Sequence, residues 1–311
     1  MSDKSSFSKV QIKSSLMLLI TSFIWGFAFI SQRIGLETMG IHTFTATRFI
    51  LAALVLGIFL FIMDSKNSKK PSLLGNGTIH DKKNLLISGI ACGVILTIAN
   101  FFQMAGLQYT TVGKAGFITV LYIIIVPILG LFFKKKVSLT VWISVLIALA
   151  GSYLLFIQKG FSVNKGDLFI LVSAFLFASH IMVIDHFTKI TDSIRMAFIQ
   201  FLVCGLISFV AMFIFENPEW NIILDAWLPI TYAGILSSGV AYTFQFVAQK
   251  NLSAPVASII MSMESVFAAL AGWIILEEGL SYKEIAGCLL IFFGIILIQV
   301  PYKQMIRASK L

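Results

Sequence analysis

Charge is scarce in this chain. It has 23 lysines and arginines and 14 aspartates and glutamates, only 12% of 311 residues, against about 25% in an average soluble domain. Cysteine is scarcer. Cys92, Cys204 and Cys288 lie far apart inside apolar runs, with no CxxC and no metal-ligand spacing, which argues against a disulfide scaffold and a metal site. No phosphate-binding glycine loop occurs, which excludes an ATP-driven pump for this chain alone. The stretch GILSSG (234–239) does not supply the GxSG order of a serine intramembrane protease, and the pair of deep aspartates of the aspartyl type is missing. No cleavable signal peptide is expected, because the first apolar run is full length and lacks a small-residue cleavage site.

What the chain has is apolar surface: 58% of its residues are hydrophobic and the mean hydropathy is +0.95. A water-soluble fold of this size could not bury so much and still cover itself with polar groups. The composition therefore excludes a soluble enzyme, a nucleic-acid binder and a disordered chain, and implies an all-α integral membrane protein. The net charge of +9 then reads as a topology signal, since lysine and arginine collect in loops that stay in the cytoplasm.

A helix crossing a bilayer needs about 20 mostly apolar residues. Ten such runs are present, at approximately 15–34, 43–63, 85–107, 112–133, 139–157, 166–187, 193–215, 227–249, 254–276 and 282–300. Their continuity excludes an outer-membrane barrel, whose strands alternate. The longest connection, 64–84, is polar, carries Pro71 and two glycines, and reads as a flexible loop. With the N-terminal tail 1–14 placed in the cytoplasm, seventeen basic residues fall on that side and six on the other. This predicts an even number of spans with both termini, including the tail 301–311, in the cytoplasm.

The two halves resemble each other. Val126–Ser138 aligns with Ala268–Ser281, ending 143 residues later, and Asn100-Phe101-Phe102-Gln103 aligns with Tyr242-Thr243-Phe244-Gln245 at 142. Thr47-Arg48-Phe49 aligns with Ile199-Gln200-Phe201 at 152; the offset falls because the loop at 64–84 is longer than its counterpart at 216–226. The unit is five helices, 1–157 and then 166–300. An odd unit re-enters the membrane upside down, so the expectation is a five-plus-five inverted repeat with a midplane site between the halves.

Polar residues at membrane depth are costly and mark candidate sites. Glu264 lies mid-run, about ten residues from either end. Desolvation favours the neutral form of a carboxyl group, so Glu264 reads either as a proton carrier and cavity residue or as a group held by a neighbouring helix. Arg48 reads either as a fork for a substrate carboxylate or as a side chain snorkelling to the interface. His180 reads as a proton relay or as a satisfied core residue. Asn100 with Gln103, and Tyr242 with Gln245, are i,i+3 pairs that each face one way, either towards substrate or as interhelical glue. Trp25 beside Gly26 suggests an aromatic wall at a flexible point, with Tyr122 and Gln200 at similar depth. Lys114, Asp185 and Arg33 read as helix-end groups. Pro127, Gly234 and Gly239 are candidate bends, and small residues stud the ninth run as for close packing.

These features together resemble the EamA-type branch of the drug/metabolite transporter superfamily. The resemblance rests on ten spans in two five-helix units, Trp25-Gly26, Arg48, and Glu264-Ser265-Val266-Phe267-Ala268 followed by Glu277-Glu278. Ser265 stands where many members have proline, and Lys134-Lys135-Lys136 where a Gly-Glu-Arg-like turn is common. The resemblance implies a secondary transporter in a bacterial plasma membrane, exporting amino acids or other small metabolites without ATP. It implies a central cavity, peripheral fifth and tenth helices at a dimer contact, no cofactor, and a small-molecule substrate. The alternative is a facilitator, exchanger or channel-like permease without proton coupling.

Overall fold

The structure is a computed structural model that describes residues 3–67, 70–156, 163–275 and 281–299. Glu277, Glu278 and the tail 301–311 lie outside the described residues. Every regular element among the described residues is a helix, as expected where lipid offers the backbone no hydrogen-bond partner.

The first half of the chain holds α1 (Asp3–Thr38), α2 (Ile41–Lys66), α3 (Ile79–Leu107), α4 (Val112–Val120), α5 (Tyr122–Phe132) and α6 (Leu139–Phe156). The second half holds α7 (Lys165–Phe187), α8 (Ser193–Phe215), α9 (Trp220–Asp225), α10 (Trp227–Thr231), a wide π segment (Tyr232–Tyr242), α11 (Thr243–Gln249), α12 (Ala254–Met261), α13 (Met263–Ile275) and α14 (Tyr282–Gln299). Side-chain caps start several of them. Thr78 with Asp81 and Asn164 with Asp167 form reciprocal capping boxes at α3 and α7, and Asp192 accepts from two backbone amides of α8; each satisfies donors that a helix start leaves unpaired.

Among the described residues, eight helices or helix pairs are long and apolar enough to cross a membrane. Of the ten runs in the sequence, the fifth is a shorter apolar helix, Leu139–Leu155, and the eighth is divided among α10, the π segment and α11. The first helix begins well before residue 15, because its polar start continues the same helical backbone.

Two bends fall where the sequence did not place them. The fourth run breaks at Leu121, six residues before Pro127, where short-range bonds from Leu121 N to Ile118 O and from Ile124 N to Leu121 O replace the regular pattern. Pro127 denies a donor to the carbonyl of Ile123, but it lies inside the continuous α5, so the break precedes the position that the proline disturbs. The ninth run breaks at Ser262 with no proline beside it. The Ser262 hydroxyl donates to Ile259 O at 2.6 Å and the Ser265 hydroxyl to Ser262 O at 2.8 Å, each beside a tight amide bond to the same carbonyl, so serine side chains reinforce the narrowed turn. Gly26, read as a flexible point, is a packing point. A Cβ there would lie 2.5 Å from Cβ of Phe267 and 2.8 Å from the backbone N of Ala268, so only glycine lets α1 and α13 approach so closely.

α2 packs along α8, α6 along α14, α3 along α7 and α8, and α1 along α13, the π segment and α11. The apolar interior forms three clusters. Phenylalanines divide between this interior (Phe44, Phe49, Phe201, Phe246) and the outward faces (Phe61, Phe132, Phe213, Phe215). The connection after α2 is more tied down than its composition suggests. Asp64 is buried, pairs with Arg195 at 2.6 Å and accepts from the Ser72 amide at 3.1 Å.

Candidate functional site

The functional candidates come from different helices and meet in the middle of the bundle. Trp25, Arg48, Asn100, Gln103, Tyr122, His180, Tyr242, Gln245 and Glu264 all line one central cavity. Gln200 stands just behind it, hydrogen-bonded to the His180 ring. The free space is small, about 50 Å³, room for a few water molecules.

Each wall is held in place from behind. The Trp25 indole N–H donates to Ser237 O in the π segment at 3.0 Å, and its ring lies 4.8 Å from that of Tyr242. Wide i→i+5 turns are rare and gather at functional sites; here the widened stretch offers a carbonyl to the tryptophan. Arg48 is buried at 2% exposure, which removes the snorkelling reading. Its guanidinium donates to Asn100 Oδ1 and stacks over the Phe49 ring at 4.7 Å. Asn100 in turn donates to Leu96 O at 2.8 Å, which fixes which end of its amide faces the arginine. Gln245 donates to Gln249 at 3.0 Å, and Gln249 to Ile181 O at 3.1 Å. His180 is both things at once: bonded to Gln200, edge-on to Tyr242 at 6.0 Å, and on the cavity wall.

Several polar atoms on this wall have no hydrogen-bond partner although they are buried. They are Gln32 Oε1, Arg48 Nε, Thr119 Oγ1, Tyr122 OH, Gln245 Oε1 and Glu264 Oε1. Tyr122 and Glu264 face each other and interact through their side chains, without closing a hydrogen bond of ordinary length and angle at the Tyr122 oxygen. Arg48 and Glu264 do not form an ion pair with each other. Buried polar groups are nearly always paired, and leaving one unpaired costs about 1–3 kcal/mol. Six such atoms around one cavity are a site prepared for a polar guest.

The residues that the sequence reading missed follow helical spacing from those it named. Phe29 and Gln32 stand four and seven residues after Trp25, Phe177 three before His180, Thr119 three before Tyr122, and Met261 three before Glu264. Extending each named residue by three and four positions would have found them. Ser237 had no such signal, because the π segment changes the spacing.

Apolar helices wrapped around a polar chamber define a multi-pass membrane protein. The chain belongs to the EamA-like transporter family, whose profile matches residues 12–157 and again 164–300, and it is accordingly a membrane transporter. It is 28% identical to an "Uncharacterized transporter" of Archaeoglobus fulgidus over 93% of this chain and 86% of that protein. It is 24% identical to the "Uncharacterized transporter YoaV" of Bacillus subtilis over 91% of this chain and 96% of that one. A crystal structure with 17% identity superimposes with a TM-score of 0.73, covering 92% of this chain and 95% of its own, so the fold is shared.

Proposed function

We propose that the protein is a secondary transporter that exports amino acids or other small metabolites by alternating access. In this reading two inverted five-helix repeats, 1–157 and 166–300, form ten spans around the central cavity, with both termini in the cytoplasm of a bacterial cell. The observation that carries the proposal is the set of unpartnered buried polar atoms converging on one point.

The symmetry of the lining supports it. Asn100 and Tyr242, Gln103 and Gln245, Thr119 and Met261, and Tyr122 and Glu264 are four pairs each separated by 142 residues; Trp25 and Phe177, and Phe29 and Ile181, are two pairs separated by 152. These are the offsets of the internal repeat, so most of the wall consists of positions related by it. The helix breaks at Leu121 and Ser262 fall at nearly equivalent places. α2 on α8 and α6 on α14 are pairings of repeat-related helices, as a twofold axis in the membrane plane requires. A site on that axis is reached equally from either face when the repeats rock.

Arg48 brings a cation and Glu264 an ionisable carboxyl group to one chamber, and the two are not bonded to each other. A guest with both an anionic and a cationic end would satisfy both, with the amides completing its hydrogen bonds. The test is counterflow in proteoliposomes with radiolabelled L-amino acids and their D-enantiomers. Saturable, stereoselective exchange is the expected result. Flux that rises without saturation would replace the carrier with a channel-like permease.

A further inference from the structure

The two ends of the bundle are closed by very different means, although the repeat makes them equivalent. The end remote from the start of α1 is called the far face here and the other the near face. At the far face the corner between α3 and α4 is bound to the first turn of α7. Lys114 Nζ pairs with Asp167 Oδ2 at 2.5 Å, and Thr110 Oγ1 donates to Asp167 Oδ1 at 2.9 Å. Asn164 Nδ2 donates to Tyr109 O at 3.1 Å, and the Lys165 ammonium sits 3.7 Å over the Tyr109 ring. Gly106 and Gly166 touch so closely that a Cβ on either would lie 2.8 or 2.7 Å from the other's carbonyl oxygen.

At the near face the equivalent corner joins α11 to α12 and meets α1. The position equivalent to Lys114 is Val256 and that equivalent to Asp167 is Ser15, so the charge on both sides of the contact is gone. Asn251, the counterpart of Tyr109, donates to Ser14 at 3.2 Å. Around that bond lies a cavity of about 760 Å³ lined by Ser15, Asn251, Leu252 and Val256 and, on its other side, by Lys135 and Asp185, whose ion pair at 2.6 Å ties the α5–α6 connection to the end of α7 and leaves the α11–α12 corner unlatched. The cavity reaches Met182 on α7, whose neighbour Ile181 already lines the central cavity.

We propose that the Lys114–Asp167 pair is the latch of the far gate, and that its absence from the near corner sets the resting state of the carrier, closed at the far face and open at the near one. This rests on the alternating-access reading above. Two otherwise equivalent closures compete, and an ion pair with one partner at 4% and the other at 16% exposure biases the competition. Opening the far gate requires Asp167, Lys114 and Thr110 to exchange one another for water or for substrate. A guest that favours that exchange turns the carrier over, which places the energetic control of turnover at the gate as well as in the binding site.

The test uses the full chain with C92A, C204A and C288A and a reporter Thr119→Cys on the cavity wall, reconstituted in liposomes. A membrane-impermeant maleimide is applied to one face at a time. With Lys114 present, labelling from the near face should be at least about fivefold faster than from the far face. Lys114→Met, which leaves the Asn164–Asp167 cap of α7 intact, should raise the far-face rate about tenfold, the size of a modest population shift. Lys114→Arg, which keeps the charge, should leave it low. An unchanged far-face rate in Lys114→Met, with near-face labelling preserved, overturns the latch and leaves the carrier reading standing. Labelling from neither face in any variant overturns both.

Discussion

Glu216 and Glu264 are the same side chain put to opposite uses. Glu216 ends α8 and caps α2. Its Oε1 accepts from the His42 amide at 2.7 Å, and its Oε2 from the Thr43 amide at 2.8 Å and the Thr43 hydroxyl at 2.7 Å. A carboxylate at a helix N-terminus with both oxygens bonded is held by the amides and the dipole alike. Glu264 lies mid-membrane, 4% exposed, with Oε1 unpaired. The first is a clasp between helices. In the carrier proposed above, the second is the group left to take a proton or a guest. Saturation, more than burial or charge, separates structure from function in this molecule.

Three variants test that contrast, in falling order of expected cost to stability. Asp64→Ala should be the most damaging, because it strands Arg195, 7% exposed, without its ion-pair partner. A loss of about 3–5 kcal/mol is expected for a broken buried pair, read as a large drop in melting temperature in detergent. Glu216→Ala should cost about 1–2 kcal/mol, the scale of a lost helix cap, and the protein should still reconstitute. Glu264→Gln should change stability least, within about 0.5 kcal/mol, as substitutions away from stabilising contacts do. It removes the ionisable group, so counterflow should lose its dependence on a pH gradient. If Glu264→Gln melted as low as Asp64→Ala, Glu264 would be a clasp like the others and the contrast would fail. Wild-type counterflow that ignored a pH gradient and matched the variant would remove the proton role and keep the site.

The runs of apolar residues announced most of the helices, because a membrane span has to be long and uninterrupted to satisfy its own backbone. The members of the cavity wall were also legible, since a polar side chain at that depth needs a reason. Three things were not. The Leu121 break carries no residue signal, because leucine is a good helix former and the proline that suggested a bend lies six residues on, inside α5. The π segment hid Ser237, because i→i+5 winding does not follow the spacing by which faces are read. The ion pairs of Asp167 with Lys114 and of Asp185 with Lys135 at 2.6 Å and Lys189 at 3.1 Å looked like isolated helix-end charges, because the partners lie in part on other helices. For Arg48 the sequence left a substrate-facing fork and snorkelling equally open, and only its burial beside Asn100 on the neighbouring helix removes the second.

The serine-borne break in the ninth run has one more consequence. Pro127, inside α5, has no N–H, so the bond it withholds from the Ile123 carbonyl cannot form. At Ser262 the amides keep bonds of their own, Ser262 N to Ser258 O at 3.0 Å and Ser265 N to Ser262 O at 3.1 Å, and the hydroxyls add to them. That elbow can straighten and re-form by swapping one set of bonds for another, and Glu264 rides two residues beyond it. In the carrier proposed above, the half of the chain that holds Glu264 would bend at a joint without proline, and the acidic group would move with it.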